Sequence, residues 1–199
     1  MESRDGKKAA LRDTIVRNAI RLFTERGYDA VSLEEIAKAS ACSRSTFHRY
    51  FGTKEDLLFP TAAERRRGLE MALRSADPDS DPWTVARRAL TEAARGFLDD
   101  IEPDLRSECI GLWFSEPLPR RRYLEIVFEY EAVVAGYLAS RMQVDRQDSL
   151  ECQLVAAAMT SAIRAALNTA VHTGGDLEEL VGRAFDMVEP GLHSKLPVS

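Results

Sequence analysis

The stretch 32–51, SLEEIAKASACSRSTFHRYF, holds two helix starts so close together that each helix must be short. Ser32 with Glu35 three residues later is a capping box: the serine hydroxyl accepts from the third helical amide, and the glutamate reaches back to the cap. It predicts a helix over about 33–39. Ser43 predicts the start of a second helix over about 44–50, and Gly52 follows its end. About four residues, Ser40 to Ser43, separate the two. So short a turn sets the second helix at a steep angle to the first and leaves its outer face free to enter a DNA major groove.

On that second helix Phe47 and Phe51 are four apart and are predicted to face a core. Ser45, His48 and Arg49 are spaced i, i+3, i+4 and share another face, with Arg44 just before them. This set is rich in hydrogen-bond donors and positive charge. Arginine reads guanine bidentately or holds a phosphate. Unpaired amides at the helix starts near Ser32 and Ser43 are further phosphate positions. Lys54 lies just beyond, beside the same surface. The same spacing also suits any small three-helix unit with a solvated charged face.

The rest of the chain reads as helix throughout. Residues 1–10 are polar and expected to fray. Leu11, Ile15, Ala19, Leu22 and Phe23 then recur at helical spacing, and Gly27 offers a left-handed stop. Thr53 to Asp56 caps a longer helix to about residue 75, with Pro60 expected to kink it about seven residues in. A loop over 76–82 leads into Asp81-Pro82, an N-cap followed by proline at the first helical position, and the stripe Trp83, Leu90, Phe97, Leu98. Pro103 opens a shorter segment with Trp113 and Phe114, broken by Pro117 and Pro119. A long helix is expected over about 119–143, and another, rich in alanine, over about 148–172, ending at Gly174-Gly175. The last starts at a capping box, Asp176 to Glu179, and is expected to stop before Pro190. Arg120-Arg121-Arg122 opposes the helix dipole at a predicted helix start, and the sequence offers no reason for it. No segment alternates with period two. The fold class is therefore all-α with about nine helices, an N-terminal three-helix helix-turn-helix domain over 8–56 and a C-terminal helical domain over 57–199.

Charge supports this division. The 199 residues carry a net charge of −5, yet residues 1–75 hold 15 Lys and Arg against 11 Asp and Glu, a net of +4, leaving −9 on the remainder. A basic N-terminal third on an acidic body suits one phosphate-facing surface. Cys42, Cys109 and Cys152 are too far apart for a C-x-x-C pair and odd in number, so no metal site or disulfide framework is expected, only small buried side chains. His48, His172 and His193 are equally scattered. No H-E-x-x-H, G-x-S-x-G, P-loop or dinucleotide fingerprint occurs, so the chain is read as a non-enzyme without catalytic residues or cofactor. No run of about 18 apolar residues and no apolar signal core are present, so a cytoplasmic protein without a membrane partner is expected.

The run Ile15, Ala19, Leu22-Phe23, Gly27-Tyr28, Ser32-Leu33, Ile36-Ala37, Ser43, Thr46-Phe47, Tyr50-Phe51, Lys54-Glu55 and Leu57-Leu58 resembles the DNA-binding signature of the TetR family of one-component transcriptional regulators. The resemblance implies a homodimer on double-stranded palindromic operator DNA, most often a repressor released by a small-molecule effector. An activator, or an interaction protein of the same fold that does not bind DNA, are the alternatives. Carried to matching positions, the family's DNA contacts fall on Leu33, Cys42, Ser43, Arg44, Ser45, Thr46, His48, Arg49, Tyr50 and Lys54. The last two long helices would pair with their counterparts in the dimer. Two positions depart from the pattern. Ala41 stands where the family has a turn glycine, and His48 where it has a phosphate-binding tyrosine; imidazole can still donate one hydrogen bond. For the effector, Phe97, Trp113, Phe114, Tyr123, Phe128, Tyr130 and Tyr137 supply aromatic surface, the three tyrosines seven apart on one helix. Arg164 and Asn168 supply polar groups that would orient an apolar ligand or pair across the dimer.

Overall fold

The structure is a computed structural model that describes residues 4–145 and 149–192. His193 lies outside the described residues. Among those residues the chain forms nine α-helices and two 3-10 turns, with no strand. The helices are α1 (Arg4–Arg26), α2 (Leu33–Ala39), α3 (Arg44–Tyr50), α4 (Ala62–Arg74), α5 (Pro82–Asp99), α6 (Arg106–Ser115), α7 (Pro117–Met142), α8 (Leu150–Thr173) and α9 (Leu177–Leu192). The predicted bounds of α2 and α3 match the observed ones. The expected fraying of residues 1–10 does not, since α1 is already helical at Arg4.

Contacts gather the chain into two compact units that cut across the expected division at residue 56. One comprises Met1–Thr61 and Phe97–Tyr123, the other Ala62–Gly96 and Leu124–Ser199. The first therefore adds α6 and its flanks to the helix-turn-helix. Its core joins Ile15, Ala19, Ile20 and Phe23 of α1 to Ile36 of α2, Phe47 of α3, Phe51, Leu57 and Leu58. Each of the isoleucines, leucines and phenylalanines contributes about 1.5–3 kcal/mol by leaving water. Gly27, at φ +86, lets α1 end in a left-handed residue whose amide bonds Phe23 O at 2.9 Å.

Pro60 does not kink a continuous helix. The segment expected to run from Thr53 to 75 is a 3-10 turn, Glu55–Leu58, then a break, then α4. Proline disfavours helical backbone in the residue before it, and Phe59 sits at φ −135, ψ 52. Pro117 and Pro119 fall at the expected break, α6 ending at Ser115 with Glu116 extended; only the start of the next helix comes earlier than the expected 119. α7 starts at Pro117, so both prolines fall in its first turn, where a missing amide costs nothing. The arginine run that follows has a local cause. Arg120 Nε donates to Phe114 O at 3.0 Å and its Nη2 to Ser115 O at 3.2 Å, closing the carbonyl end of α6. Arg122 Nε lies 3.8 Å from Asp56.

In the second unit α8 and α9 form a helical hairpin through Gly174, at φ +66, and Gly175. Cys152, Val155, Ala156, Met159, Ile163 and Ala166 of α8 are buried, as are Val181 and Phe185 of α9. Trp83 meets Phe185 edge-on at 6.4 Å, and Arg87 bridges to Asp186 at 2.8 Å and Glu189 at 3.0 Å. One expectation fails here. α9 continues through Pro190 to Leu192, the proline removing one bond in the final turn. By length and composition alone α8 would pass as a membrane span, because its alanines raise hydropathy without forming one apolar run; a packed core helix does so equally, and 44% of its most apolar 18 residues are buried.

Candidate nucleic-acid interface

Ser32 caps α2 in both directions expected of a capping box: Glu35 N donates to its Oγ at 3.2 Å, and its own N donates to Glu35 Oε2 at 2.8 Å. Arg26 adds an ion pair to Glu35 at 2.8 Å. The Ser32 amide, then Arg26 and the Ser32 hydroxyl, hold the Glu35 carboxyl down at about 2. At the far end of α2 the chain turns through a Schellman motif, in which Ala41 N bonds Lys38 O at 3.1 Å and Cys42 N bonds Ala37 O at 3.0 Å. That motif demands a left-handed residue, and Ala41 takes it at φ +50. Asn18 of α1 braces the same turn, its amide donating to Ala39 O at 3.1 Å.

Ser43 then starts α3, accepting from Thr46 N at 3.1 Å and donating to Thr46 Oγ1 at 2.9 Å. Phe47 is fully buried, with Phe51 5.7 Å away, so the opposite face is fixed outward. Ser43, Arg44, Ser45, His48 and Arg49 are exposed there. Leu33, Cys42, Thr46 and Tyr50 are half-buried at its margin. Arg49 packs over the Tyr50 ring at 5.3 Å. The expected donor-rich face is therefore assembled on one helix.

Lys54 is placed differently. Its ammonium donates to Tyr28 O at 2.6 Å and Val31 O at 3.1 Å and lies 4.0 Å from the centre of the Tyr28 ring. Two of its three donors tie down the turn between α1 and α2, and Tyr28 in turn donates to Glu55 at 2.6 Å. Glu34, which spacing did not single out, pairs with Arg44 at 3.1 Å. The signal was present: an acid in the first turn of α2 can meet a base that starts α3 when the intervening turn is short.

The residues expected around an effector are divided between the two units. In the first unit Trp113 stacks on Phe59 at 5.0 Å and on Tyr123 at 5.8 Å, and Phe114 meets Tyr123 edge-on at 5.4 Å. Phe97 belongs to that unit as well. In the second, Tyr130 is buried, Asn168 half-buried, and Arg164 and Phe128 are exposed, Phe128 by 66%. The aromatic chains that looked available for a ligand are largely drawn into packing. A cavity of about 840 Å³ in the second unit is lined instead by Leu73, Arg74, Pro78, Val133, Tyr137, Arg141 and their neighbours on α4, α7 and the loop after α4. Among these only Tyr137 is marked in the sequence, seven residues after Tyr130; the others are not, because the cavity is made by the approach of two helices far apart in the chain. No cluster of His, Cys, Asp and Glu able to hold a metal ion occurs among the described residues.

Comparison with known proteins agrees with this geometry. Residues 15–59 match the family model for bacterial regulatory proteins of the tetR family, and residues 80–193 match the model for the MftR C-terminal domain. The HTH-type transcriptional regulator Rv1255c of Mycobacterium tuberculosis is 33% identical over 113 residues, 54% of this chain; the match spans half the length of that relative. The mycofactocin biosynthesis transcriptional regulator MftR of the same organism is 26% identical over 196 residues, 96% of each chain. The structure of Thermus thermophilus FadR, a TetR-family transcriptional repressor in complex with lauroyl-CoA, superposes with a TM-score of 0.58 at 25% identity, covering 91% of this chain and 94% of that one. With a capped two-helix motif that turns one donor-rich face outward and family matches over both parts of its length, this chain belongs to the TetR family of transcriptional regulators.

Proposed function

We propose that the chain is a homodimeric repressor that holds a palindromic operator and leaves it when a small molecule binds its C-terminal part. The observation that carries the DNA half is α3 itself, with Phe47 buried behind and Arg44, Ser45, His48 and Arg49 exposed in front. Arg44, Ser45, His48 and Arg49 address base edges and phosphates in the major groove. Leu33, Cys42, Ser43, Thr46 and Tyr50 frame that contact. Lys54 acts from behind, by holding the turn that α2 starts from.

The dimer reading is supported by α8 and α9. Leu150 and Leu154, one turn apart on α8, are 72% and 53% exposed, and Met187 of α9 is 82% exposed. Such side chains on long helices suit a helix-to-helix contact with a second copy. Arg164, exposed on α8, fits a role across that contact better than one in a pocket. Two recognition helices about 34 Å apart then read two half-sites one DNA turn apart.

The effector reading places the ligand in the cavity between α4 and α7. Leu73, Pro78, Val133 and the Tyr137 ring offer apolar wall, and Arg74 and Arg141 a polar rim. An effector with an apolar body suits it, and the similar Thermus FadR is a repressor in complex with lauroyl-CoA. Release requires only that bound ligand favour a separation of the recognition helices that misses successive major grooves.

A gel shift of the full chain against DNA flanking its own coding region tests both halves. The expected result is a shift at moderate salt that a member of an apolar-bodied compound panel, acyl thioesters included, reverses. No shift of any such fragment removes the DNA half, and a shift that strengthens with ligand removes the repressor-release half.

A further inference from the structure

Glu34 of α2 reaches the first residue of α3, its Oε1 lying 3.1 Å from Arg44 Nη1. One turn on, Arg44 Nε donates to His48 Nε2 at 3.4 Å. The three side chains form one row across the helix-turn-helix, joined by an ion pair and a hydrogen bond. We infer that Glu34 is a specificity-determining residue: it holds Arg44 and His48 as one reading unit and keeps Arg44 from binding phosphate indiscriminately. This role rests on the reading of α3 as the recognition helix.

The donors left over define what the unit reads. A guanidinium has five N–H donors. With Nε on His48 and Nη1 paired in charge with the Glu34 carboxylate, the two Nη2 hydrogens remain. One of them lies at the end of the fork, the edge that addresses guanine O6 and N7. The side edge of the fork, which could otherwise clasp a phosphate, is occupied at Nε by the imidazole. A ring that accepts at Nε2 carries its proton on Nδ1, so His48 offers DNA one N–H donor. Apart from the Glu34 carboxylate, which accepts, the groups the row presents are donors. The arginine and imidazole donors suit the two acceptors of guanine in the major groove.

Charge supplies the discrimination. Arg44 and Glu34 are 70% and 56% exposed, so the pair adds little to fold stability in water. Near a phosphate backbone the carboxylate offsets the attraction of its own arginine. Non-specific DNA holds a protein almost wholly through phosphate contacts, whereas a guanine edge also returns base-specific hydrogen bonds. Lowering the first without lowering the second raises the ratio between them, and specificity is that ratio.

The test uses the full-length chain, a duplex selected by it from a randomised pool, and a scrambled duplex of the same composition. Affinity is read by fluorescence anisotropy across a salt series for wild type, Glu34→Gln, Arg44→Ala and the double variant. Asp29→Asn, an exposed carboxylate on the turn between α1 and α2, serves as the charge control. Glu34→Gln is expected to raise affinity for the scrambled duplex, steepen its salt slope by about 0.9, the increment of one added phosphate contact, and lower the specificity ratio about fivefold or more. Asp29→Asn leaves the ratio within about twofold, and so does Glu34→Gln once Arg44 is alanine. An unchanged ratio in Glu34→Gln, an equal fall in Asp29→Asn, or the same fall with Arg44 absent would each overturn the role. A wild-type chain that selects no sequence from the pool would overturn the recognition-helix reading together with it.

Discussion

Replacing Ala41 with glycine should stabilise the DNA-binding unit. Ala41 is exposed and touches the fold through its backbone, at φ +50 in the Schellman turn that joins α2 to α3. Left-handed backbone costs an L-residue about 1–2 kcal/mol because Cβ crowds the following carbonyl. Glycine removes that cost, and its extra freedom in the unfolded chain offsets about 0.4–1 kcal/mol of the gain. The net is about 0.5–1 kcal/mol, or roughly 1–4 °C in Tm for a chain of this length. Calorimetry reads the shift. Hydrogen exchange localises it, since amides of 33–51 that exchange through opening of this turn should slow about two- to fivefold. Ala41→Val, with a branched side chain in the same backbone, should move both readings the other way. If glycine leaves Tm and exchange unchanged and valine costs nothing further, the turn is not strained and the account of the motif is wrong.

Three further outcomes follow from the same unit. Glu35 has a folded pKa of about 2 against 4.5 for the free side chain, so its contribution is fully present above pH about 4.5 and is lost as pH falls from there towards 2; Glu35→Gln should flatten the stability of α2 over that window, read by exchange or by acid titration of helicity. Phe47→Ala empties a fully buried position and should cost about 3–5 kcal/mol, read as the urea midpoint, with DNA affinity lost alongside. Lys54→Met keeps the apolar stem but removes a charged donor from two carbonyls, and should cost about 1.5–3 kcal/mol while changing the salt slope of DNA binding by far less than the 0.9 or so of a lost phosphate contact.

The parts of this fold that are legible in sequence are those with local causes. Ser32, Glu35 and Ser43 determine where α2 and α3 begin, because a cap acts within one turn of its own residue. Phe47 and Phe51 then decide which face of α3 looks outward. Gly27 and Gly174 mark helix ends for the same local reason. Features that depend on distant partners stayed hidden. Lys54 looks like a phosphate ligand until the carbonyls of Tyr28 and Val31 are seen beneath it. Trp113, Phe114 and Tyr123 look like a binding surface until Phe59 and one another fill the space around them. The arginines at 120 and 122 look misplaced until the carbonyl end of α6 and Asp56 are beside them. Pro60 and Pro190 are hard to read in sequence for a narrower reason: proline's effect depends on whether its missing amide had a partner to lose, and that is a matter of a residue or two in where a helix starts and stops.

The central claim is that α3 presents a base-reading face and that two copies present it together. Its most direct measurement is the binding of the full chain to a palindromic duplex selected from a randomised pool, with stoichiometry and salt dependence read in one titration. The account predicts two chains per duplex, an affinity that falls steeply and linearly in log–log form with salt, and a preference of about a thousandfold or more over scrambled DNA. Binding that ignores salt, saturates at one chain per site, or shows no preference between the selected and scrambled duplexes would contradict it.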